Sequence, residues 1–249
     1  MKFVKMHGIG NDYIFVETFT QPSPDDPGAL SVRLSAPHTG IGADGIIFVD
    51  PSDEADAGMR VFNADGSEAQ ICGNGLRCVA KLLYDEGLCR QREVTIATRA
   101  GLHRVWLGLE GDKVVSVTAD MGFPAFDDDL TLTACGRTLS FVPVSMTNPH
   151  AVTFDEPALG GEFYELGPAI ERHPAFPERT NVEFVTVTGP ESLNVRVWER
   201  GSGETLACGS GACAALAASR GFLTDLMSIS ARKCAISSSQ SNGMSFASP

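Results

Sequence analysis

Two cysteines in this chain stand in the same setting. The first segment runs Arg60-Val61-Phe62-Asn63 through Glu68 to Cys72-Gly73-Asn74-Gly75, and the second runs Arg196-Val197-Trp198-Glu199 through Glu204 to Cys208-Gly209-Ser210-Gly211. Arg60 and Arg196, Val61 and Val197, Glu68 and Glu204, Cys72 and Cys208, Gly73 and Gly209, and Gly75 and Gly211 are each 136 residues apart. A gapless spacing of this kind points to a duplicated chain with two equivalent half-sites.

Each cysteine precedes Gly-x-Gly and then an apolar run at helical spacing, which puts its sulfur at the first turn of a helix. Unpaired backbone N–H groups and the positive dipole end favour a thiolate there and can lower a cysteine pKa from about 8.5 toward neutrality. The glycines let backbone amides approach a ligand, and a helix N-terminus binds a carboxylate and the negative charge developing beside it. This is a site for making a carbanion or enolate next to a carboxylate. Removing a proton takes one base; inverting a stereocentre takes a base on one face and an acid on the other. Two equivalent cysteines flanking one carbon, one as thiolate and one as thiol, meet that need.

A lone cysteine is more often a small buried residue, and it is the repeated Cys-Gly-x-Gly setting that distinguishes Cys72 and Cys208. Cys78 and Cys213 fall inside the expected helices, while Cys89, Cys135 and Cys234 lack polar company; all five read as structural. Metal ligation by residues 72, 78, 208 and 213 would need helix interiors to unwind, so no metal is expected. His7, His38, His103 and His173 read as surface or loop residues.

The elements that must position the two sulfurs repeat as well. Phe3–Val4 and Ile14–Val16 read as short strands around a turn made by Gly8, Gly10, Asn11 and Asp12. Thr20–Ala29, with three prolines, reads as a loop. Gly40–Gly45 feeds the apolar strand Ile46–Val49, and because no helix pattern follows, the glycines are not a dinucleotide motif. After Cys72, Leu76, Val79, Ala80, Leu82 and Leu83 mark a helix closed by Gly87. Val94–Ile96, Leu102–Leu107 and Val114–Val117 read as a meander, and Gly122–Asp129 as a linker. Asn148-Pro149-His150 lies 137 residues after Asn11, and Asn181 lies 137 after Asp44. Ala212–Ala218 is apolar almost all round, so that helix must be buried on every side, with Gly221 able to end it. Ser228–Pro249 is serine-rich with weak periodicity and reads as poorly ordered.

Bulk properties bound the rest. A chain of 249 residues, 43% hydrophobic and 20% charged, has an ordinary globular composition and is long enough for a real core. Its net charge of −12 disfavours nucleic-acid and anionic-membrane partners. No stretch approaches the roughly 20 apolar residues needed to span a bilayer, and no signal-peptide core is seen. Seven cysteines without a Cys-x-x-Cys pair fit free thiols in a reducing cytoplasm.

Together these motifs resemble one family. Gly8-x-Gly10-Asn11-Asp12, Gly40-x-Gly42-Ala43-Asp44-Gly45, Phe62-Asn63-x-Asp65-Gly66-Ser67, Cys72-Gly73-Asn74-Gly75, Asn148-Pro149-His150, Asn181-Val182-Glu183 and Glu199-Arg200-Gly201 to Cys208-Gly209-Ser210-Gly211 look like diaminopimelate epimerase, over residues 1 to about 221. The resemblance implies a cofactor-independent isomerase that interconverts LL- and meso-diaminopimelate on the route to lysine and peptidoglycan precursors. It implies an α+β (α/β) fold of two pseudo-symmetric domains, 1–120 and 121–227, each a mixed or antiparallel sheet wrapped around a central helix. Residues 228–249 form a divergent tail.

By the same resemblance Cys72 and Cys208 are the acid/base pair. Gly73, Asn74, Gly209 and Ser210 hold the carboxylate at the reacting carbon. Asn11, Asn63, Asn148, Asn181 and Arg200 read the substrate, chiefly its far amino-acid end, with Glu199 and His150 beside the reacting centre. Asp44 is left out of the site, because some family members carry Gln there. The oligomeric state stays open, a homodimer included. After Gly221 the family pattern of further strands is not found, and the helix after Cys208 is expected to lose part of its cover. Two alternatives follow: a racemase of another amino acid by the same chemistry, or an inactive ligand-binding relative. A thiol oxidoreductase is a weaker third, because its cysteines usually lie close in sequence.

Overall fold

A computed structural model describes residues 1–155, 161–190, 192–205 and 208–219, together with the backbone of 233–235. The chain divides into two compact units, residues 1–120 and 121–249.

The first unit opens with a hairpin of β1 (Val4–Gly8) and β2 (Asn11–Glu17), in which Gly8 pairs with Asn11. Helix α1 (Pro27–Ser35) carries the chain to β3 (Gly45–Asp50), which runs parallel to β2. Then β4 (Ala57–Asn63) returns antiparallel, the short β5 (Glu68–Ala69) folds back on it, and α2 (Gly73–Asp85) follows. The meander β6 (Glu93–Thr98), β7 (Gly101–Glu110) and β8 (Lys113–Asp120) completes a mixed sheet ordered β1-β2-β3-β4-β6-β7-β8.

This sheet is covered on both faces. Ile14 and Val16 of β2, with Ile46 and Phe48 of β3, pack toward Leu30 and Leu34 of α1. The alternate residue Ile47 points the other way, toward Gly75 of α2. Two-sided cover explains why both strands read as continuous apolar runs and not as alternation. Helix α2 buries Leu76, Val79, Ala80, Leu82 and Leu83, each large side chain contributing about 1.5–3 kcal/mol. It ends as its sequence predicts, with Gly87 at φ 73° and its N–H on the Tyr84 carbonyl at 3.1 Å.

The second unit follows the same plan. It comprises β9 (Ala125–Phe126), β10 (Leu130–Ala134), β11 (Arg137–Ser145), β12 (Pro149–Thr153), α3 (Gly161–Glu171), β13 (Asn181–Gly189), β14 (Ser192–Glu199), β15 (Gly203–Thr205), α4 (Gly209–Ala218) and β16 (Lys233–Ala235). Here β12 and β13 are the parallel pair joined through a helix, β14 returns antiparallel, and β15 delivers the chain to a cysteine-capped helix. Phe163, Leu166 and Ile170 of α3 pack with Ala151, Val182 and Phe184 on one face. Helix α4 lies against β11 to β14 on the other, with Ala212, Cys213, Ala214, Ala215 and Ala217 buried. The duplicated sequence is thus a duplicated topology, in the two-sheet mixed α+β fold expected.

Several local expectations are corrected. The proline-rich stretch to Ala29 is not all loop: Asp26 Oδ1 accepts the Ala29 N–H at 2.9 Å and Pro27 opens α1, an N-cap followed by an N1 proline. The pattern gives no signal of α3, which holds Pro168. The linker at 122–129 contains β9, paired with β11. His103 is buried in β7, not a surface residue, and burial lowers its pKa. The tail from Ser228 lies outside the described residues except for β16, which lies beside α4. Gly221 lies outside them as well, and the described end of α4 is the Ser219 cap.

Candidate active site

Cys72 is the N-cap of α2. Its backbone is extended, φ −131° and ψ 109°, and its sulfur accepts the Gly75 N–H at 3.3 Å. The Cys72 thiol donates to Asn11 Oδ1 at 3.5 Å, and Asn74 Nδ2 donates to the same oxygen at 3.3 Å. Asn11 Nδ2 is taken up by Asp44 Oδ2 at 2.7 Å, which also accepts the Asp12 N–H at 3.0 Å. A carboxylate can only accept, so Asp44 fixes the amide with its nitrogen inward and its oxygen on the sulfur. Arg77 anchors the start of the helix through Asn74 Oδ1 at 2.5 Å and the Gly73 carbonyl at 3.2 Å. The buried Tyr13 hydroxyl hydrogen-bonds with both Asn11 and Cys72; burial pushes its pKa far up and the nearby sulfur adds to this. Asn63 is engaged elsewhere, donating to Ser67 Oγ at 3.0 Å.

Cys208 caps α4 in the same way, with φ −116°, ψ 118° and the Gly211 N–H on its sulfur at 3.3 Å. Ser210 Oγ lies 3.4 Å from that sulfur and accepts from Asn148 Nδ2 at 3.3 Å. Asn148 Oδ1 meets His150 Nε2 at 3.1 Å, and His150 Nδ1 meets Glu183 Oε1 at 2.7 Å. The His150–Glu183 pair is fully buried, and Glu183 Oε2 has no hydrogen-bond partner among the described residues. Glu199 Oε1 accepts from Thr205 Oγ1 at 2.6 Å.

The electrostatics of this half correct one expectation. Burial pushes the Cys208 thiol well above its ordinary pKa, and the Glu199 and Glu183 carboxylates push it further, outweighing the Ser210 hydroxyl and the Gly211 N–H. A helix N-terminus alone favours a thiolate; here burial first, and the two carboxylates in addition, outweigh it and favour the thiol form of Cys208. Burial likewise raises Glu199, with Glu183 adding and the Thr205 and Cys208 hydrogen bonds drawing it back.

Asn181 is buried, and both ends of its amide are spent on backbone: Nδ2 on the Pro149 carbonyl at 2.9 Å, Oδ1 on the Arg200 N–H at 2.9 Å. Arg200 itself is exposed, with Nη1 on the Glu178 carbonyl at 3.0 Å. In each half the N–H groups of the first helical turn, Gly73 and Asn74 or Gly209 and Ser210, lack intrahelical partners and suit a carboxylate. Among the described residues no cluster of three or more His, Cys, Asp or Glu is placed to hold a metal.

Comparison with known proteins agrees with this geometry. The sequence model of the family described as diaminopimelate epimerase matches residues 3–126 and 142–229. The chain belongs to the diaminopimelate epimerase family. It is 47% identical to the diaminopimelate epimerase of Bacteroides thetaiotaomicron over 95% of this chain and 86% of that protein. It is 46% identical to that of Moorella thermoacetica over 88% and 83%. The first of these matches takes in part of the tail from 228 that reads as unrelated. Among solved structures, a probable proline racemase from Agrobacterium radiobacter K84 superposes with a TM-score of 0.66 at 17% identity, covering 89% of this chain and 78% of its own. A hydroxyproline epimerase from Agrobacterium vitis gives 0.65 at 17% over 89% and 78%. At such identity these two show the shared fold.

Three groups in this diaminopimelate epimerase relative escape the sequence reading, Tyr13, Arg77 and Glu183, and a fourth, Asp44, is the one that reading sets aside. All four touch the two thiols or the residues that touch them. Glu183 sits within a quoted motif and Tyr13 directly follows one, so position relative to the motif was the available signal. Arg77 lies in the apolar helix face and gave none. Of the other thiols, Cys78 is buried and burial, then the Cys72 sulfur, push it up to about 11. Cys213 is buried too, and Cys135 donates to the Glu165 carbonyl at 3.6 Å. The side chain of Cys234 lies outside the described residues.

Proposed function

We propose that this chain is an isomerase that interconverts LL- and meso-diaminopimelate by proton removal and return at the α-carbon. One observation carries the reading: in a chain 47% identical to a diaminopimelate epimerase, two cysteines cap equivalent helices, each accepting the N–H three residues on at 3.3 Å. Cys72 and Cys208 are the acid/base pair, and inversion needs one on each face of the carbon. The cysteine on the side of the departing hydrogen acts as thiolate and the one on the opposite face as thiol, so the two isomers meet the pair in opposite protonation states.

The first-turn amides at Gly73, Asn74, Gly209 and Ser210 take the α-carboxylate, whose neutralisation lowers the cost of the carbanion. Asn11 and Asn148 line the thiols, His150 and Glu199 stand behind Cys208, and Asn63 reads the substrate from the end of β4. Arg200 supplies a fixed fork for the distant carboxylate. Asn181 reads the substrate beside Arg200 and also holds the Arg200 backbone, its Oδ1 accepting the Arg200 N–H. Each unit is an epimerase-like half. A net charge of −12 argues against nucleic acid as a partner, and seven cysteines fit a reducing cytoplasm.

The test is incubation of the reduced protein with LL-diaminopimelate in deuterated water. Meso product carrying deuterium at one α-carbon is expected; absence of both product and exchange overturns the proposal.

A further inference from the structure

Glu171, the last residue of α3, is only 2% exposed and carries its carboxylate into the interior of the second unit. Its two oxygens serve two points of one turn. Oε2 accepts from Trp198 Nε1 at 3.0 Å and Oε1 accepts the Gly201 N–H at 3.0 Å. Between those two donors lie Glu199 and Arg200.

The other segment that grips Arg200 is fastened to the same residue. Arg200 is held by Asn181 Oδ1 and by the Glu178 carbonyl. This 178–181 stretch returns to Glu171 through the Thr180 N–H on the Glu171 carbonyl at 3.3 Å and through Arg179 Nη1, 3.6 Å from Oε1. Both walls around Arg200 therefore converge on one buried residue, the 198–201 turn on its carboxylate and the 178–181 segment on its carbonyl and, through Arg179, its carboxylate.

The duplicated half offers a control within the molecule. The residue 136 positions before Glu171 is Ser35, the last of α1, and the residue 136 before Arg200 is Ala64. A buried carboxylate is kept at the helix end only in the half that carries the arginine. Burying a carboxylate is costly unless its oxygens are matched by donors, and here the donors are those of the Arg200 turn.

We propose that Glu171 is a positioning residue for substrate recognition, holding the 198–201 turn and the 178–181 segment so that the Arg200 guanidinium meets the second carboxylate of a diamino-dicarboxylic acid. The proposal rests on the reading of Arg200 given above and deepens it: specificity for a substrate with a second charged end is set from beneath, by a residue that touches no substrate.

The test compares E171Q with the unaltered protein in KM and kcat for diaminopimelate epimerisation, each also in an R200K background. Gln keeps the volume but presents one acceptor and one amide donor, so one of the two turn contacts is lost. In the Arg200 protein KM is expected to rise about 10- to 100-fold, the scale of a misplaced contact group, with kcat little changed. In the R200K background the same substitution should change KM by less than about twofold, because residues acting through one another are not additive. An equal factor in both backgrounds, or a fall in kcat without a KM change, assigns Glu171 to stability alone and overturns the proposal. An inactive unaltered protein would instead sink the functional reading. Should E171Q not fold, W198F, which removes only the indole donor and keeps an aromatic ring against α3, is read by the same criterion.

Discussion

Ile47 and Glu183 hold the same place in the two halves. Ile47 pairs with Phe15 across the parallel β2–β3 ladder, and Glu183 pairs with Val152 across β12–β13. Each points at the first turn of the cysteine-capped helix: a Cβ on Gly75 would meet Ile47 Cδ1 at 2.5 Å, and one on Gly211 would meet Glu183 Oε1 at 2.6 Å. Tyr13 and His150 each stand one residue before a matched pair, Ile14–Ile46 and Ala151–Val182, beside Cys72 and beside Glu183 respectively. The duplication is therefore kept in strand pairing and broken in charge. One thiol is backed by an aliphatic side chain and a phenol, the other by a buried carboxylate and an imidazole.

That broken symmetry has a direct readout in thiol reactivity. The thiolate is the nucleophile toward iodoacetamide, and burial, with the Glu199 and Glu183 carboxylates adding to it, raises the Cys208 thiol above its ordinary range. Alkylation of Cys208, followed peptide by peptide by mass spectrometry in a C72S protein, is expected to rise only at a pH above the ordinary thiol range of about 8.5. Glu183→Gln removes one of the opposing charges and should move that rise to lower pH. An unchanged profile would mean that burial alone controls Cys208.

Steric room at the helix mouths separates the halves a second time. Gly211→Ala drives a methyl into a carboxylate that His150 fixes at 2.7 Å, so nothing can yield. Gly75→Ala meets only the end of an aliphatic chain. Overpacking of this kind costs about 1–3 kcal/mol, and Gly211→Ala should lower the melting temperature by more than Gly75→Ala does. Adding Ile47→Val, which deletes the clashing Cδ1, should recover much of the Gly75→Ala loss. Equal losses at both glycines, or no recovery, would show that the two helix starts relax freely.

What the sequence made legible, and what it hid, divides along physical lines. The cysteine caps, the glycines after them and the end of α2 at Gly87 were readable because local backbone chemistry dictates them. The paired strands were readable as apolar runs, but which face each residue takes was not, since both faces are covered. Glu183 therefore passed unnoticed inside Val182–Val185, and so did Ile47. Helix α3 was missed because Pro168 and a weak apolar stripe give it no helical signature. The bonds of Asn181 to the Pro149 carbonyl and the Arg200 N–H were hidden as well; hydrogen-bond partners far apart in sequence cannot be read from residue type.

Asp44 tests whether the Asn11 amide must face one way. Its Oδ2 binds both Asn11 Nδ2 and the Asp12 N–H. Asp44→Asn leaves a side chain able to present either an acceptor or a donor, which frees the Asn11 amide to turn its nitrogen toward Cys72. A loss of about tenfold in kcat/KM is expected, the size of one charged hydrogen bond of about 1.5 kcal/mol, with little change in melting temperature. A large stability loss with unaltered kcat/KM would assign Asp44 to fastening the start of β3 to the start of β2 instead.

Glu199 links the site to stability, and the sign follows from its raised pKa. Burial raises the folded-state value above the unfolded one, with the Glu183 charge adding to it, so the folded state binds the proton more tightly. Any stability from this group is fully present below the unfolded carboxylate pKa of about 4.3 and is lost as pH rises through the folded value. Glu199→Gln carries no titrating proton and escapes that loss. The melting-temperature difference between Glu199→Gln and the unaltered protein should therefore grow more positive from pH 4 to pH 8, even as the variant loses epimerase activity. A difference that stays flat, or that grows in the opposite direction, would mean the Thr205 and Cys208 hydrogen bonds outweigh burial and that Glu199 is held as the anion by the fold.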